Sequence, residues 1–451
     1  MKKLLIPILF VGISFYGNAQ LPQNTKNSLQ NILDQFLKED TIPGGIMTIH
    51  SRADGWTWKG QAGIANVNTR QPANTAFSYR IGSVSKNFMA TTIMHLVDRN
   101  VLSLNDTIGK WLPTSLTNRI ANSQNITIKH LLNHTSGIYS YTDDTSFLTT
   151  LLTNATAYFT PDSLINIALS YPPDFTPGTN WKYNNTGYVL LAKIVEASAG
   201  VSYHQYATDN ILTPTGLSHT YFPGTNLIPE NHMRCYANYD NDATLEDYTD
   251  ITTSWAYGSG EIVSTLDDQI AYFNALIDGK IISAASYNET ITPFTPESYT
   301  YGLGTYIIDN NLAGHSGLYF STTGLWHFQD LDMVVAYQFN LFDVDVYNKV
   351  LVKVHELFSL TTSTFEVSPP PLINIYPNPT SDLIMINCEG FNTQNLKVSI
   401  YTQRGQLIYS AKLNTKKLDI EYLPSGVYFV RIEGGKQSVT RKIVKTTYNK
   451  R

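Results

Sequence analysis

The stretch YRIGSVSKNFMATTIMHLVDRN, residues 79–100, is the segment from which the rest of the chain can be read. Val84, Phe88, Met89, Ile93, Met94, Leu96 and Val97 recur at helical spacing and are apolar on most sides, which predicts a buried helix. Ser83 lies at its first turn and Lys86 three residues on, so both side chains leave one face and hydroxyl and amine can meet. A serine hydroxyl needs a neighbour to take its proton before it attacks. A lysine desolvated in a core can lose its charge and become that base. The helix N-terminus adds N–H groups beside a developing oxyanion. Ser-x-x-Lys also recurs by chance in long chains, so its meaning depends on the surrounding sequence.

Upstream, residues 28–38 carry Leu29, Ile32, Leu33, Phe36 and Leu37 in one apolar helical stripe, with Ser28 placed to cap it and Pro43-Gly44-Gly45 to close it. GIMTIHSRADGWTWKGQAG reads as two strands around a turn at Ala53-Asp54-Gly55. Downstream, residues 105–250 are helical and loop-rich. Strand patterns return only at 301–340, as in LDMVVAYQF (331–339), and a last helix is expected over 344–360. This predicts an α+β body: an antiparallel sheet assembled from both ends of the segment, the two terminal helices on one face, and a helical region inserted between. A cleft is expected where sheet and insert meet.

The ends of the chain read differently. Lys2 and Lys3, an apolar run over 4–16 and Gly17-Asn18-Ala19 form an export signal with cleavage after Ala19, and the run is too short to span a bilayer. No cysteine follows that site, which argues against a lipid anchor. TTSTFEVSPPPL, 361–372, is a polar, proline-rich linker. From 373 to 451 short strand-like runs alternate with turns such as Gln403-Arg404-Gly405 and Gly434-Gly435, which predicts a small all-β, immunoglobulin-like sandwich. This gives four parts: signal 1–19, body 20–360, linker 361–372 and sandwich 373–451.

Composition bounds the function. Charged residues are 15% and aromatics 12%, with 29 Tyr, as in a folded extracellular protein. Net charge is −5, but residues 373–451 hold 12 basic against 5 acidic groups, or +7, which leaves −12 for the rest. That surplus is read as solvated strand faces, not a nucleic-acid site. The two cysteines, Cys235 and Cys388, fall in different parts and are not expected to pair. No cysteine-histidine spacing suggests zinc, so neither metal nor cofactor is expected.

Two more segments give Ser83 its context. PGTNWKYNNTGYVLLAKIVE places Tyr183 and Asn185 in a loop between a Pro-Gly turn and an apolar helix, where a phenol and an amide can point into a cleft. AGHSGLYFSTTGLWHFQ contains the only His-x-Gly of the chain, His315-Ser316-Gly317, expected to open a strand. Glycine there lets a ligand approach the backbone and leaves the Leu318 N–H available to an oxyanion.

In order, Ser83-x-x-Lys86, Tyr183-x-Asn185 and His315-x-Gly317 resemble the three active-site motifs of the serine β-lactamase and penicillin-binding-protein superfamily. The detailed likeness is to the branch with class C β-lactamases, D-Ala-D-Ala carboxypeptidases, esterases and D-aminopeptidases. The flanks FSYRIGSVSKNF, LLNHTSGI (131–138) and YGSGEIVSTLDDQ (257–269) agree, and the likeness spans residues 29–360. It implies a β-lactamase/transpeptidase-like fold with Ser83 as acyl-forming nucleophile and Lys86 and Tyr183 sharing proton transfer, their order left open. Asn185, His315, Gly317 and Leu318 would bind substrate, the N–H groups of Ser83 and Leu318 forming the oxyanion hole. His134 and Gly137 would be structural. One departure stands out: β-lactamases proper carry lysine where this chain has His315, so recognition of a substrate carboxylate should weaken. A peptidase or esterase is therefore favoured, with a class C-like β-lactamase or a non-catalytic, surface-displayed binder of cell-wall peptide as alternatives. The expected substrate is a D-amino-acid peptide, a β-lactam or an ester, and oligomeric state is left open. INIYPNPTSDLIMIN and LPSGVYFVRIEGGKQSVTRKIVK resemble the type A sorting domain of the type IX secretion system. That likeness implies the secretion machinery as partner and release or surface attachment by way of the periplasm.

Overall fold

The structure is a computed structural model that describes residues 20–229, 231–238, 244–294, 301–309, 311–342, 346–362, 372–376, 380–389, 396–402, 407–412, 417–434 and 437–446. The expected signal (1–19), most of the expected linker (363–371), the turn at Gln403-Arg404-Gly405 and Gly435 lie outside them. The chain forms two compact units, Met1–Leu360 and Thr361–Arg451.

In the first unit a seven-stranded antiparallel sheet takes strands from both ends. The front supplies β1 (Gly44–Ser51), β2 (Thr57–Asn66) and β3 (Gln71–Pro72); the rear supplies β4 (Tyr306–Ile308), β5 (Leu312–Leu318), β6 (Thr322–Phe328) and β7 (Met333–Phe339). The order is β3-β2-β1-β7-β6-β5-β4, so the two halves meet where β1 pairs with β7, Gly45 opposite Phe339. Every residue of β6 and β7 is buried, because both sheet faces are covered. On one face Trp326, Phe328, Val335 and Phe339 pack against α1 (Gln23–Glu39), through Leu29, Leu33 and Phe36, and against α5 (Val346–Thr362), through Val350, Val354 and Phe358. On the other face Leu325, Val334 and Ala336 join the core of the helical insert, which includes α2 (Ser85–Asp98), α3 (Thr145–Thr153) and α4 (Asn185–Ala199). In α2 every residue from Ser85 to Met94 is buried. The α+β architecture is as the sequence implied, terminal helices on one face included.

Local boundaries shift for local reasons. Helix α1 begins at Gln23 behind Pro22, whose φ of −56° is already helical, so Ser28 lies inside the helix and caps nothing. Gly44 and Gly45 open β1 where a helix stop was expected, because their missing side chains let Ile64 and Phe339 approach. Small two-residue ladders also interrupt the insert: Tyr79–Arg80 with Val263–Ser264, and Tyr236–Ala237 with Glu246–Asp247. Cys235 is buried and free. Among the described residues no helix is long and apolar enough to cross a membrane, and no His, Cys, Asp or Glu cluster could hold a metal.

The second unit is all-β. One sheet joins β8 (Leu372–Tyr376), β9 (Leu383–Glu389) and β12 (Lys417–Asp419); the other runs β11 (Leu407–Lys412), β10 (Lys397–Thr402), β13 (Gly426–Gly434), β14 (Gln437–Lys445). Ile384, Ile386, Val398, Ile400, Val430, Ile432 and Ile443 fill its core.

Candidate active site

Ser83 lies in a single 3₁₀ turn, Gly82–Val84, that leads into α2, not in the α-helix itself. The turn rests directly on β5. Gly82 has φ +53°, and a Cβ there would sit 2.9 Å from the Leu318 nitrogen. A Cβ on Gly317 would sit 2.0 Å from the Ile81 carbonyl oxygen. Two glycines thus allow two backbones to touch, and Thr323 Oγ1 fastens the contact by donating to Ile81 O at 2.9 Å. The His-x-Gly motif falls in the second half of β5, not at its opening, because the strand already starts at Leu312 after the turn at Asp309.

Lys86 is fully buried on α2. Its Nζ stands 3.2 Å from Ser83 Oγ and donates to the Ser259 carbonyl at 2.7 Å. Two aromatic rings flank it, Tyr183 at 4.8 Å and Tyr188 at 5.2 Å. Burial holds its pKa well below the usual lysine range. An amine whose charged form is disfavoured in this way can donate to Ser259 O and still offer a lone pair to the serine hydroxyl.

Tyr183 comes from the loop before α4, and His134 clamps that loop from below. The His134 carbonyl accepts from Lys182 N–H at 3.1 Å, and its Nδ1 accepts from Asn184 N–H at 3.2 Å. Asn184 caps α4 by accepting from Gly187 N–H at 2.7 Å. The Tyr183 hydroxyl is buried without a hydrogen bond of normal geometry. Burial raises its pKa well above the ordinary value, with the Ser83 hydroxyl pulling the other way, so it stays a phenol at neutral pH. Asn185 begins α4, and its Nδ2 donates to Thr142 Oγ1 at 3.0 Å.

His315 is buried, and both ring nitrogens are occupied. Nδ1 lies 2.5 Å from the Ser316 carbonyl, which can only accept, so Nδ1 carries the proton. Nε2 is then an acceptor, and the Tyr301 hydroxyl donates to it at 3.0 Å. Burial, then the nearby Lys86, pushes its pKa down to about 3. His134 is also lowered well below its usual range, by burial and then by Lys86 and His315. The centre therefore gathers three bases whose pKa values burial lowers, with Lys86 adding to the shift of both histidines and His315 to that of His134.

A cleft of about 480 Å³ opens over this centre. Ser83, Tyr183, Asn185, His315 and Leu318 line it; Lys86 and Gly317 stand behind the lining. Several of its residues were not singled out from the sequence. Tyr301, behind the lining, carries no motif and donates to His315 from 14 positions away in the chain. Ser259 lies in the flank YGSG, where its backbone carbonyl, not its side chain, meets Lys86. Phe147, Leu148, Leu151, Trp255, Tyr319 and Phe320 form the cleft's apolar wall.

Residues 29–353 match the Beta-lactamase family and residues 374–446 the secretion system C-terminal sorting domain. The chain is similar to the putative penicillin-binding protein PbpX of Bacillus subtilis (strain 168), 30% identical over 63% of this chain and 66% of that protein. It is also similar to penicillin-binding protein 4* of the same organism, 28% identical over 66% of this chain and 67% of that protein. The chain thus spans about two thirds of the length of these relatives. Among solved structures, a D-stereospecific amidohydrolase from Streptomyces sp. superposes with a TM-score of 0.64 at 28% identity, over 72% of this chain and 97% of that one. With the family matched across most of its length, and with the serine turn, tyrosine loop and β5 converging on one cleft, this chain belongs to the β-lactamase family and ends in a secretion sorting domain.

Proposed function

We propose that this protein is an exported serine hydrolase that turns over amides or esters through an acyl-enzyme on Ser83, of the D-peptidase (D-Ala-D-Ala carboxypeptidase) or esterase kind. The observation that carries the reading is the buried amine of Lys86, 3.2 Å from Ser83 Oγ and without a carboxylate among the groups acting on it. Ser83 Oγ attacks the acyl carbon as its proton passes to the Lys86 and Tyr183 pair, whose order of protonation is a shared property. The oxyanion is held by the N–H groups of Ser83 and Leu318. The proton then moves to the leaving group, the bond to it breaks, and an ester on Ser83 remains. Water, losing its proton to the same pair, attacks that ester, and the pair returns the proton to Ser83 Oγ as its bond to the acyl carbon breaks, releasing the acid and free Ser83. Asn185 holds the substrate's amide. The likeness to a D-stereospecific amidohydrolase supports amides of D-amino acids as one substrate type. The neutral, doubly bonded His315 argues against efficient hydrolysis of β-lactams, whose carboxylate has no cation to meet there.

Incubation with a fluorophosphonate or a fluorescent penicillin should label Ser83, located by peptide mass, and Ser83→Ala should lose label and turnover together. A silent binding protein would instead hold cell-wall peptide unchanged after Ser83→Ala and show no product burst. For delivery, the sorting domain is read as the address for type IX secretion, taking the chain through the periplasm to the surface or medium. Deleting residues 373–451 should leave active enzyme in the periplasm; normal amounts outside the cell would refute this role.

A further inference from the structure

We infer that the cleft is built for an uncharged ester or amide carrying a bulky apolar group, selected between α3 and the stacked pair Trp255 and Tyr319. This rests on the acyl-enzyme reading and, within it, favours the esterase or amidase side over the D-Ala-D-Ala carboxypeptidase side, whose substrate carries a carboxylate beside the scissile bond. Among the described residues no Asp, Glu, Lys or Arg lines the cleft, whose volume of about 480 Å³ suits a small ligand. On one side α3 presents Phe147, Leu148 and Leu151, at spacing that puts them on one helical face. Opposite them Trp255 stacks on Tyr319, ring centroids 5.3 Å apart, with Phe320 beside the pair.

These walls are held before any ligand arrives. Asp144 caps α3 by accepting from Phe147 N–H at 2.6 Å, and its other oxygen accepts from Tyr171 at 2.6 Å. Tyr141 joins the two sides: its ring meets Phe147 edge-on at 5.2 Å, and its hydroxyl donates to the Trp255 carbonyl at 2.6 Å. An apolar group seated between them loses water without ordering new side chains. A carboxylate beside the scissile bond meets the opposite treatment. It would shed its hydration beside a neutral His315, with no cation among the described lining residues to replace it.

The test compares p-nitrophenyl acetate, p-nitrophenyl phenylacetate and mono-p-nitrophenyl glutarate on the full chain, with fluorophosphonate labelling of Ser83 run alongside. The expected kcat/KM for phenylacetate exceeds that for acetate and for glutarate by about tenfold or more. Leu148 is 39% exposed at the cleft edge, so Leu148→Lys keeps the fold while placing a cation there. It should lower the phenylacetate-to-glutarate ratio about fivefold or more. If Ser83 is labelled but glutarate or acetate is preferred, or Leu148→Lys leaves the ratio unmoved, the specificity inference is wrong and the acyl-enzyme stands. If Ser83 takes no label and no ester is cleaved, the acyl-enzyme reading falls and the inference with it.

Discussion

The two ends of the cleft are made in opposite ways. At the end proposed to react, Lys86, Tyr183 and His315 gather beside Ser83, and burial disfavours their charged forms. At the far end, Phe147, Leu151, Trp255 and Tyr319 are apolar groups in their ordinary setting, rigid because they pack. The first arrangement stores electrostatic cost to make chemistry possible; the second gains from burial and can change without disabling the chemistry. Substitutions at the first end should therefore affect every substrate, and those at the second should re-rank substrates.

That contrast can be broken or sharpened by measurement. The largest effect is expected from Ser83→Ala, which should cut kcat/KM by about 10⁴-fold or more on all three esters alike. A surviving activity on any one of them would dissolve the distinction between the ends. Lys86→Met, which keeps volume and removes the amine, should cost about 10²–10⁴-fold in kcat, again uniformly. If the loss differs strongly among esters, Lys86 takes part in selection as well as in proton transfer.

His315 gives a test through stability. Its folded pKa, near 3, lies below the 6.5 of a free histidine. Between those values the unfolded chain holds a proton that the folded chain lacks, so stability rises with pH across that window and is lost as pH falls from 6.5 toward 3. His315→Asn should flatten urea-unfolding stability against pH by about 1.4 kcal/mol per pH unit within it. Equal slopes would mean that the ring is not held neutral. The smallest effect is expected from Tyr301→Phe, which leaves Nε2 of His315 without its donor and should cost about 1–2 kcal/mol in unfolding experiments. No change would place Tyr301 among the packing residues and outside the polar end.

How much of this was legible follows the same divide. The reacting end is written in short words: Ser83 and Lys86 are three residues apart, and Tyr183 and His315 each sit in a distinctive local setting. The sheet was legible too, because its strands alternate or run apolar at both ends of the unit and leave two terminal helices to cover one face. The wall was legible only as the segments that would shape the pocket, not in their conformations: the helix Thr145–Thr153 and Trp255 are brought together by contacts such as Tyr141 with Trp255, 114 positions apart, which no local pattern announces. Tyr301 escaped for a similar reason, since its value lies wholly in the ring nitrogen it meets. Small errors came from local competition: Pro22 starts α1 before Ser28 can cap it, and β5 begins three residues ahead of His315.

The sheet's central seam also bears on the life of the chain before it folds. Gly45 hydrogen-bonds into the same ladder as Phe339, so the core cannot close until nearly all of the first unit has left the ribosome. Pairings this distant in sequence form slowly, after the local helices. For a polypeptide that carries a secretion sorting domain, that delay leaves the sheet open while the chain is being made, and the cleft is complete only once its two distant halves have joined.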